Sequence, residues 1–227
     1  INVLENSEIL NIVMPAAMEV VEITMPEVNI DFEQLKDINW NSEKKNILRV
    51  VGSVLDLLYE AEFDFENPKE ILGNTQLSYY LGEIGQALNE SEVVKGVLFV
   101  YLNDLIQETL KSSLPENLQP LLTVLDLTKI DLENDLTIVG NVLNNLHALK
   151  ILDGDKVDFI GQRAVVVNMI ELAFSLSTIK GNEEVIIKSL IDMTGIESML
   201  AETGITINYE VEDWDAEIKS FTSVIDN

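Results

Sequence analysis

The sequence predicts an all-α protein made of tandem helical units of roughly 85 to 90 residues, packed side by side with short extended segments between helices. Three observations lead to this prediction. Apolar residues recur every three or four positions along most of the chain, capping residues and glycines bracket those stretches, and short segments recur at a nearly constant offset. Because 47% of the residues are apolar, the chain can fold, unlike an acidic disordered tail.

The composition excludes several functional classes. The 227 residues carry 14 Lys and Arg against 40 Asp and Glu, a net charge of −26, so we expect no nucleic-acid binding. No apolar stretch approaches the roughly 18 residues of a membrane span, so we expect no membrane insertion. The absence of cysteine, with His147 as the single histidine, removes most metal and triad chemistry. The expected partners are neighbouring repeat units or another protein, with weak association of divalent cations at most.

The predicted helices, in chain order, begin at capping residues that precede apolar stripes. A first helix over residues 8–23 contains Pro15 and should kink there, because proline removes a backbone donor from the helix interior. The later starts are marked by Ser42, Asn67, Thr75, Ser91 and Asn182. Two of the stripes are Ile47, Val51, Val54, Leu55 and Leu58, and Leu77, Tyr80, Leu81, Ile84 and Leu88. Stops are predicted at Gly73, Gly154, Gly181 and Gly204.

Two segments are predicted to be extended. From Ile205 to Val211, apolar and polar side chains alternate with the period of two that a β-strand requires. Residues 23–32 are a second candidate, which Pro26 confines to an edge or a linker. An apolar-Asp-apolar triplet also precedes several predicted helices, and we expect its Asp to face the helix N-terminus. The four triplets are centred on Asp31, Asp64, Asp131 and Asp158.

An internal repeat is the strongest feature of the sequence. Residues 51–58 (VGSVLDLL) recur as residues 139–146 (VGNVLNNL), an offset of 88 from 51 to 139. The start NSEIL at residue 6 recurs as ESEVV at residue 90, an offset of 84, and more loosely as NEEVI at residue 182. Trp40-x-x-Glu43 recurs as Trp214-x-x-Glu217, an offset of 174 that is close to twice 88.

The repeat spacing predicts four segments. Residues 1–42 complete a preceding helical unit, residues 43–130 and 131–213 each form one unit, and residues 214–227 begin a further unit of a longer chain. Units of this length exceed those of compact solenoids, so we expect each to be a small helical subdomain packed on its neighbours.

Two acidic clusters have side chains suited to a calcium loop: Asp153, Asp155 and Asp158, and Asp131, Glu133 and Asp135. An EF-hand loop needs glycine at its sixth position, where these clusters have Asp158 and Leu136. We therefore expect an Asp-Gly turn in the first cluster and a solvated helix entry in the second. His147 has no second His or Cys with which to share a metal, and we expect it to be partly buried or at the surface.

The remaining candidates are predicted to be structural. Gly82 and Gly85 lie within a helical stripe rather than a phosphate loop, so their expected role is close helix packing. Trp40 and Trp214 share a repeat register and are expected to anchor contacts between units. Four aromatic residues are expected in the core and its rim: Tyr79, Tyr80, Phe99 and Tyr101. We predict no catalytic residue, no cofactor and no metal site.

The segment LGEIGQAL at residues 81–88, followed by NESEVV at residues 89–94, and the Trp-x-x-Glu helix resemble repeat units of very large secreted or cell-wall proteins of Gram-positive-type bacteria. The resemblance implies an extracellular, cell-surface location and tandem modularity, and its motifs carry no catalytic residue. We therefore expect a non-enzymatic spacer, scaffold or adhesion platform. Two alternatives stay open: an intracellular helical adaptor that binds a partner helix or a basic protein in an apolar groove, and an enzyme or small-ligand carrier with polar groups converging in an apolar pocket.

Overall fold

The computed structural model describes residues 37–64, 66–115, 118–150, 161–194 and 211–226, together with isolated positions elsewhere. Across these residues the regular structure is entirely helical and includes no strand, which confirms the predicted all-α class. None of the described helices combines the length and the apolar character needed to cross a membrane.

The helices are joined by short connections. In chain order they are α1 (Trp40–Glu60), α2 (Leu77–Asn89), α3 (Phe99–Ser113), α4 (Pro120–Val124), α5 (Leu132–Ala148), α6 (Arg163–Phe174), α7 (Glu183–Thr194) and α8 (Trp214–Asp226). Two 3-10 helices, Pro68–Gly73 and Leu127–Lys129, precede α2 and α5, and a π-helical turn, Val93–Leu98, leads into α3.

Side-chain caps mark some of the helix starts, those of α1, α5 and α8 among them. The Ser91 hydroxyl accepts a hydrogen bond from Val94 N (3.1 Å), and α7 begins directly after Asn182, so these two predicted starts are confirmed. Ser42 is wrong as the cap of α1, because the Asn39 side chain accepts from Ser42 N and the helix begins at Trp40. The residues after Asn67 form a 3-10 helix rather than an α-helix.

The turns that lead into α2, α5 and α7 agree with the sequence expectations only in part. The side chain of Asn74, rather than that of Thr75, accepts from Gln76 N ahead of α2. Asp131 does cap α5, accepting from Asn134 N. Asp64 instead accepts from Glu66 N and closes a turn before the first 3-10 helix. Gly181, with φ +83°, supplies the left-handed turn ahead of α7 that favours glycine.

Five of the described helices pack in a single row in the order α1, α2, α5, α6, α8, each contacting the next. Helices α3, α4 and α7 form a second row, in which α4 contacts both others. The core is correspondingly thin and is distributed along the rows. Its buried apolar residues are Ile38, Trp40, Leu57, Leu77, Ala87, Val97, Leu122, Ile138, Leu149 and Ile218.

Several sequence expectations lie outside the described residues. These are the kinked helix over residues 8–23, the extended segment over residues 23–32, the acidic turn of Asp153, Asp155 and Asp158, the stop at Gly154, and the triplets at Asp31 and Asp158. Most of the predicted extended segment from Ile205 to Val211 also lies outside them.

Candidate functional site

The closest contact in the row is between α2 and α5, and glycines on both helices make it possible. A Cβ atom added to Gly82 would lie 2.5 Å from Thr137 Oγ1, and one added to Gly85 would collide with the backbone of Leu132. On the opposite helix, a Cβ at Gly140 would collide with the backbone of Ser78. The predicted packing role of Gly82 and Gly85 is therefore confirmed, and Gly140 provides its counterpart.

The contact extends beyond α2 into the preceding 3-10 helix. Asn144 Nδ2 donates to the carbonyl oxygens of Leu72 (2.5 Å) and Asn74 (2.9 Å), so one amide ties α5 to both ends of the turn before α2. A Cβ on Gly73 would lie 2.6 Å from His147 Cε1. The His147 Nε2 atom is 3.7 Å from Glu70 Oε2, and its side chain is 35% exposed, so the histidine is partly buried as expected.

The end of α2 and the start of α5 are joined by a reciprocal side-chain bond. Asn89 Oδ1 accepts from Leu132 N (3.0 Å) while Asn89 Nδ2 donates to Asp131 Oδ1 (2.9 Å). Lys95 Nζ also donates to the carbonyl oxygen of Ile130. One polar set therefore satisfies backbone groups that a helix terminus leaves free.

Two carboxylate–serine pairs occupy corresponding places along the row. Glu43 accepts from the Ser91 hydroxyl (2.6 Å) and from Glu92 N (2.7 Å), which links α1 to the turn after α2. Asp135 accepts from the Ser177 hydroxyl (2.6 Å) and from Ser177 N (2.7 Å), which links α5 to the turn after α6. Glu43 and Ser91 are buried, with 3% and 5% exposure. Each acid is the fourth residue of its helix.

Helix α8 shares the type of N-terminal cap found in α1 and α5, and it is linked to α6 by a hydroxyl–carboxylate bond at another position. Asp213 Oδ1 accepts from Ala216 N at its start (3.0 Å), just as Asn39 and Asp131 cap α1 and α5. The buried Thr222 hydroxyl donates to Glu171 Oε1 of α6 (2.9 Å). Glu217, the fourth residue of α8, is exposed.

A groove of about 160 Å³ runs between α1 and α2. Its walls are largely apolar and include Ile47, Val51 and Leu88, and its polar lining residues include Glu43 and Asn46. Asn46 is 5% exposed, and within the described part of the chain its Nδ2 atom has no hydrogen-bond partner. The groove thus has an apolar floor with one unsatisfied buried donor beside it.

The predicted apolar stripe of α1 is largely exposed, with Ile47, Val51 and Leu55 at 59%, 47% and 59%, and its first two residues line the groove toward α2. Beside the stripe, Leu48 and Tyr59 are 58% and 81% exposed, although apolar helix faces normally pack on other helices. Gly52 lies among them, and a Cβ atom there would meet no atom of the described part of the chain within 4 Å. We call Leu48, Gly52, Leu55 and Tyr59 the outer face of α1.

The aromatic candidates are divided between core and surface. Trp40 is 7% exposed, and among the described residues its indole Nε1 finds no hydrogen-bond partner. Trp214 is only partly buried. Tyr79 is 57% exposed and meets Tyr80 edge to face at 5.2 Å. Burial, followed by the Glu60 and Asp56 carboxylates, raises the pKa of the Tyr80 phenol.

The acidic cluster at the start of α5 serves helix contacts. Asp131 caps the helix and meets Asn89, Asp135 binds Ser177, and Glu133 is exposed. In the described ranges no group of three or more His, Asp or Glu side chains is placed to hold a metal ion.

Sequence reasoning missed both carboxylate–serine pairs. The signal was present, because Glu43, Asp135 and Glu217 each follow an Asn or Asp cap by four positions. A serine lies after the partner helix in both pairs, but the spacing differs, from 43 to 91 and from 135 to 177. Only the fold brings each acid and serine together.

Comparison of the chain with protein-family models, with curated protein sequences and with solved structures gives no match in any of the three.

Proposed function

We propose that this chain is a structural segment of a large bacterial surface protein, in which helical repeat units stack side by side as a non-enzymatic spacer, scaffold or adhesion platform. The observation that carries the proposal is the equivalent placement of α1, α5 and α8. Each begins at an Asn or Asp cap, at residues 39, 131 and 213, and each packs on α2, α6 or both. In this account α1, α5 and α8 start successive units.

The helix ends support the same equivalence. Ala61 N donates to Leu57 O and Glu62 N to Tyr59 O, while Leu149 N donates to Asn145 O and Lys150 N to His147 O. Glu62 and Lys150 both have positive φ, at 47° and 56°. All of these positions differ by 88, the offset of the sequence repeat.

The carboxylate–serine pairs support a structural role for the polar residues at the junctions. Glu43 and Asp135 each accept two hydrogen bonds from the turn after the partner helix. Charge-assisted bonds of this kind fix geometry, since each is worth about 1.5 to 3 kcal/mol when buried. The strongly acidic composition would keep an extended array soluble through mutual repulsion of its units.

The surface location rests on the sequence resemblance, and protease shaving of intact source cells tests it. We expect release of peptides from residues 1–227, and a parent polypeptide much larger than 25.4 kDa on a denaturing gel. The matched control is a cytosolic marker protein, which must stay protected in the same digest. Protection of this chain alongside the marker would contradict the surface location.

An intracellular adaptor is the second candidate, and one observation favours it. The apolar groove between α1 and α2, with the outer face of α1 beside it, matches the surface that an amphipathic partner helix occupies. A chain protected in the shaving experiment and recovered at 25.4 kDa would favour this alternative.

A further inference from the structure

The outer face of α1 is apolar and open, while the corresponding face of α5 is covered. At the repeat offset of 88, Gly52 corresponds to Gly140 and Tyr59 to His147. Gly140 lies against the backbone of Ser78 in α2, and His147 lies against Gly73. No residue in the described ranges lies within 4 Å of the equivalent Cβ position on Gly52.

We propose that the outer face of α1 is the docking site for a helix of the α2 type, supplied by a further repeat unit. The inference rests on the tandem arrangement proposed above and adds the identity of the partner. The occupant is a helix with small residues at positions i, i+4 and i+7, the pattern of Ser78, Gly82 and Gly85 in α2.

The internal interface shows why the occupant needs that pattern. Gly82 and Gly85 remove the side chains that would collide with Thr137 and with the backbone of Leu132, so that α2 and α5 approach closely. Gly52 likewise has no side chain, so α1 can also be approached closely at this position. A helix with larger residues on its contacting face could not approach Gly52 closely enough to cover Leu48 and Leu55.

The exposed area also calls for such a partner. Leu48, Leu55 and Tyr59 lie on one line of α1 at i, i+7 and i+11, and more than half of each is exposed. Adjacent Ile47 and Val51 are 59% and 47% exposed and continue the apolar surface toward the groove. A contiguous apolar patch of this kind on a helix marks an interaction site.

A second copy of this chain does not supply the occupant as readily. Its own α2 packs between α1 and α5, so the small-residue face of α2 is already in use. The proposal therefore commits to a helix of a separate unit and not to dimerisation of residues 1–227.

Binding of a synthetic helix to the full chain tests the proposal. The probe is a fluorescein-labelled peptide with the sequence of residues 75–91, cross-linked on its outward face so that it is helical, and binding is followed by anisotropy. We expect saturable one-to-one binding. The Gly52→Gln variant should lower the affinity by about tenfold or more, because the added side chain holds the helices apart.

Gly96→Gln is the matched control, because Gly96 is exposed in the π-helical turn and its Cβ would also meet no described residue within 4 Å. It should bind the probe like the unsubstituted chain. A probe in which Gly82 and Gly85 are both replaced by Leu should not bind.

Three outcomes would overturn the proposal: no saturable binding, equal loss of affinity in the two glutamine variants, or binding that Gly52→Gln leaves unchanged, which would place the probe elsewhere. Sedimentation of the chain without the peptide tests the alternative occupant, which is a second copy of the chain. A dimer that Gly52→Gln abolishes would assign the face to a second copy. The shaving experiment reports on location independently, so failure of docking and failure of the surface location can be told apart.

Discussion

Helices α1 and α5 share a sequence repeat but differ in what covers them. Helix α5 is covered on two sides, by α2 against Gly140 and by α6, whereas among the described helices α1 packs chiefly on α2, and no described residue covers Gly52. The same glycine is thus a packing requirement in one helix and an unused surface position in the other. The difference shows that an apolar stripe predicts a helix more securely than it predicts which face is buried.

The two helices also differ in length, so their starts and their ends are separated by different offsets. Helix α1 has 21 residues and α5 has 17. Their starts differ by 92, from 40 to 132, and their ends by 88, from 60 to 148. The four extra residues amount to about one helical turn, so the corresponding faces stay within roughly 40° of each other.

The largest expected effect separates the two glycines. Gly140→Ala should destabilise the chain by about 3 kcal/mol, because the new methyl group meets the backbone of Ser78 and the helices must move apart. Urea unfolding followed by circular dichroism measures the change. A loss below about 0.5 kcal/mol would show that the α2–α5 contact does not depend on the absence of a side chain.

The next effect compares the two carboxylate–serine pairs. Glu43→Ala should cost about 2 to 3 kcal/mol, because the buried Ser91 hydroxyl and Glu92 N lose their acceptor. Asp135→Ala should cost about 1 kcal/mol, since Asp135 is only partly buried and water can replace it. Urea unfolding curves of both variants give the two losses of stability. Equal losses would contradict the role assigned to burial.

Gly52→Ala should act in the opposite direction to Gly140→Ala. With nothing near the new methyl group, removal of glycine from a helix interior should stabilise the chain by about 0.5 to 1 kcal/mol. Thermal unfolding is a sufficient measurement. A destabilised variant would mean that the outer face of α1 is already covered in this chain.

A smaller effect, the salt dependence of stability, distinguishes the α1–α2 contact from the α5–α6 contact. Arg49 pairs with Glu90 (2.6 Å) and Gln86 (2.8 Å) across α1 and α2, while Asn145 and Asn168 (2.7 Å) pair across α5 and α6. Arg49→Ala should cost about 0.5 kcal/mol at low salt and less at high salt, because both partners of its ion pair are partly exposed. Asn145→Ala should show no such dependence, and unfolding at two salt concentrations checks both.

The smallest effect concerns the connector that leads into α5. Hydrogen bonds from Lys129 and then Thr128 hold the pKa of the Asp126 carboxyl below its ordinary value. A lowered folded-state pKa contributes stability above the unfolded value of about 3.9, and that contribution is lost as the pH falls through the folded value. Asp126→Asn should therefore slightly lower the free energy of unfolding at neutral pH. Below about pH 4, the stability of this variant should fall less steeply with decreasing pH than that of the unsubstituted chain. An unchanged acid profile would contradict this assignment.

The sequence predicts the helices well and their neighbours poorly. The stripe containing Ile47 and Val51 gives the helix α1 because its period is local, yet both residues are exposed. Gly82 and Gly85 could be assigned to close packing, because glycine inside a stripe has few other uses. Their partners Thr137 and Leu132 could not, since about 50 residues of intervening chain set which helices meet.

Capping shows the same limit on a smaller scale. Asn39 and Ser42 are both good caps, and the choice between them depends on Trp40 and Glu43 being buried as part of the helix. The Glu43–Ser91 pair combines two residues that are each unremarkable in a strongly acidic chain. Its burial and its counterpart at Asp135 and Ser177 are visible only when the helices are placed together.

The stacking of units is tested most directly by the urea midpoint of a chain in which residues 39–130 occur twice in succession. In that chain the second copy of α1 must occupy the position of α5 and pack against α2 of the first copy. The account predicts a single cooperative transition with a midpoint at or above that of the original chain, since each added unit contributes its own interface. A lower midpoint, or loss of the cooperative transition, would contradict the tandem arrangement.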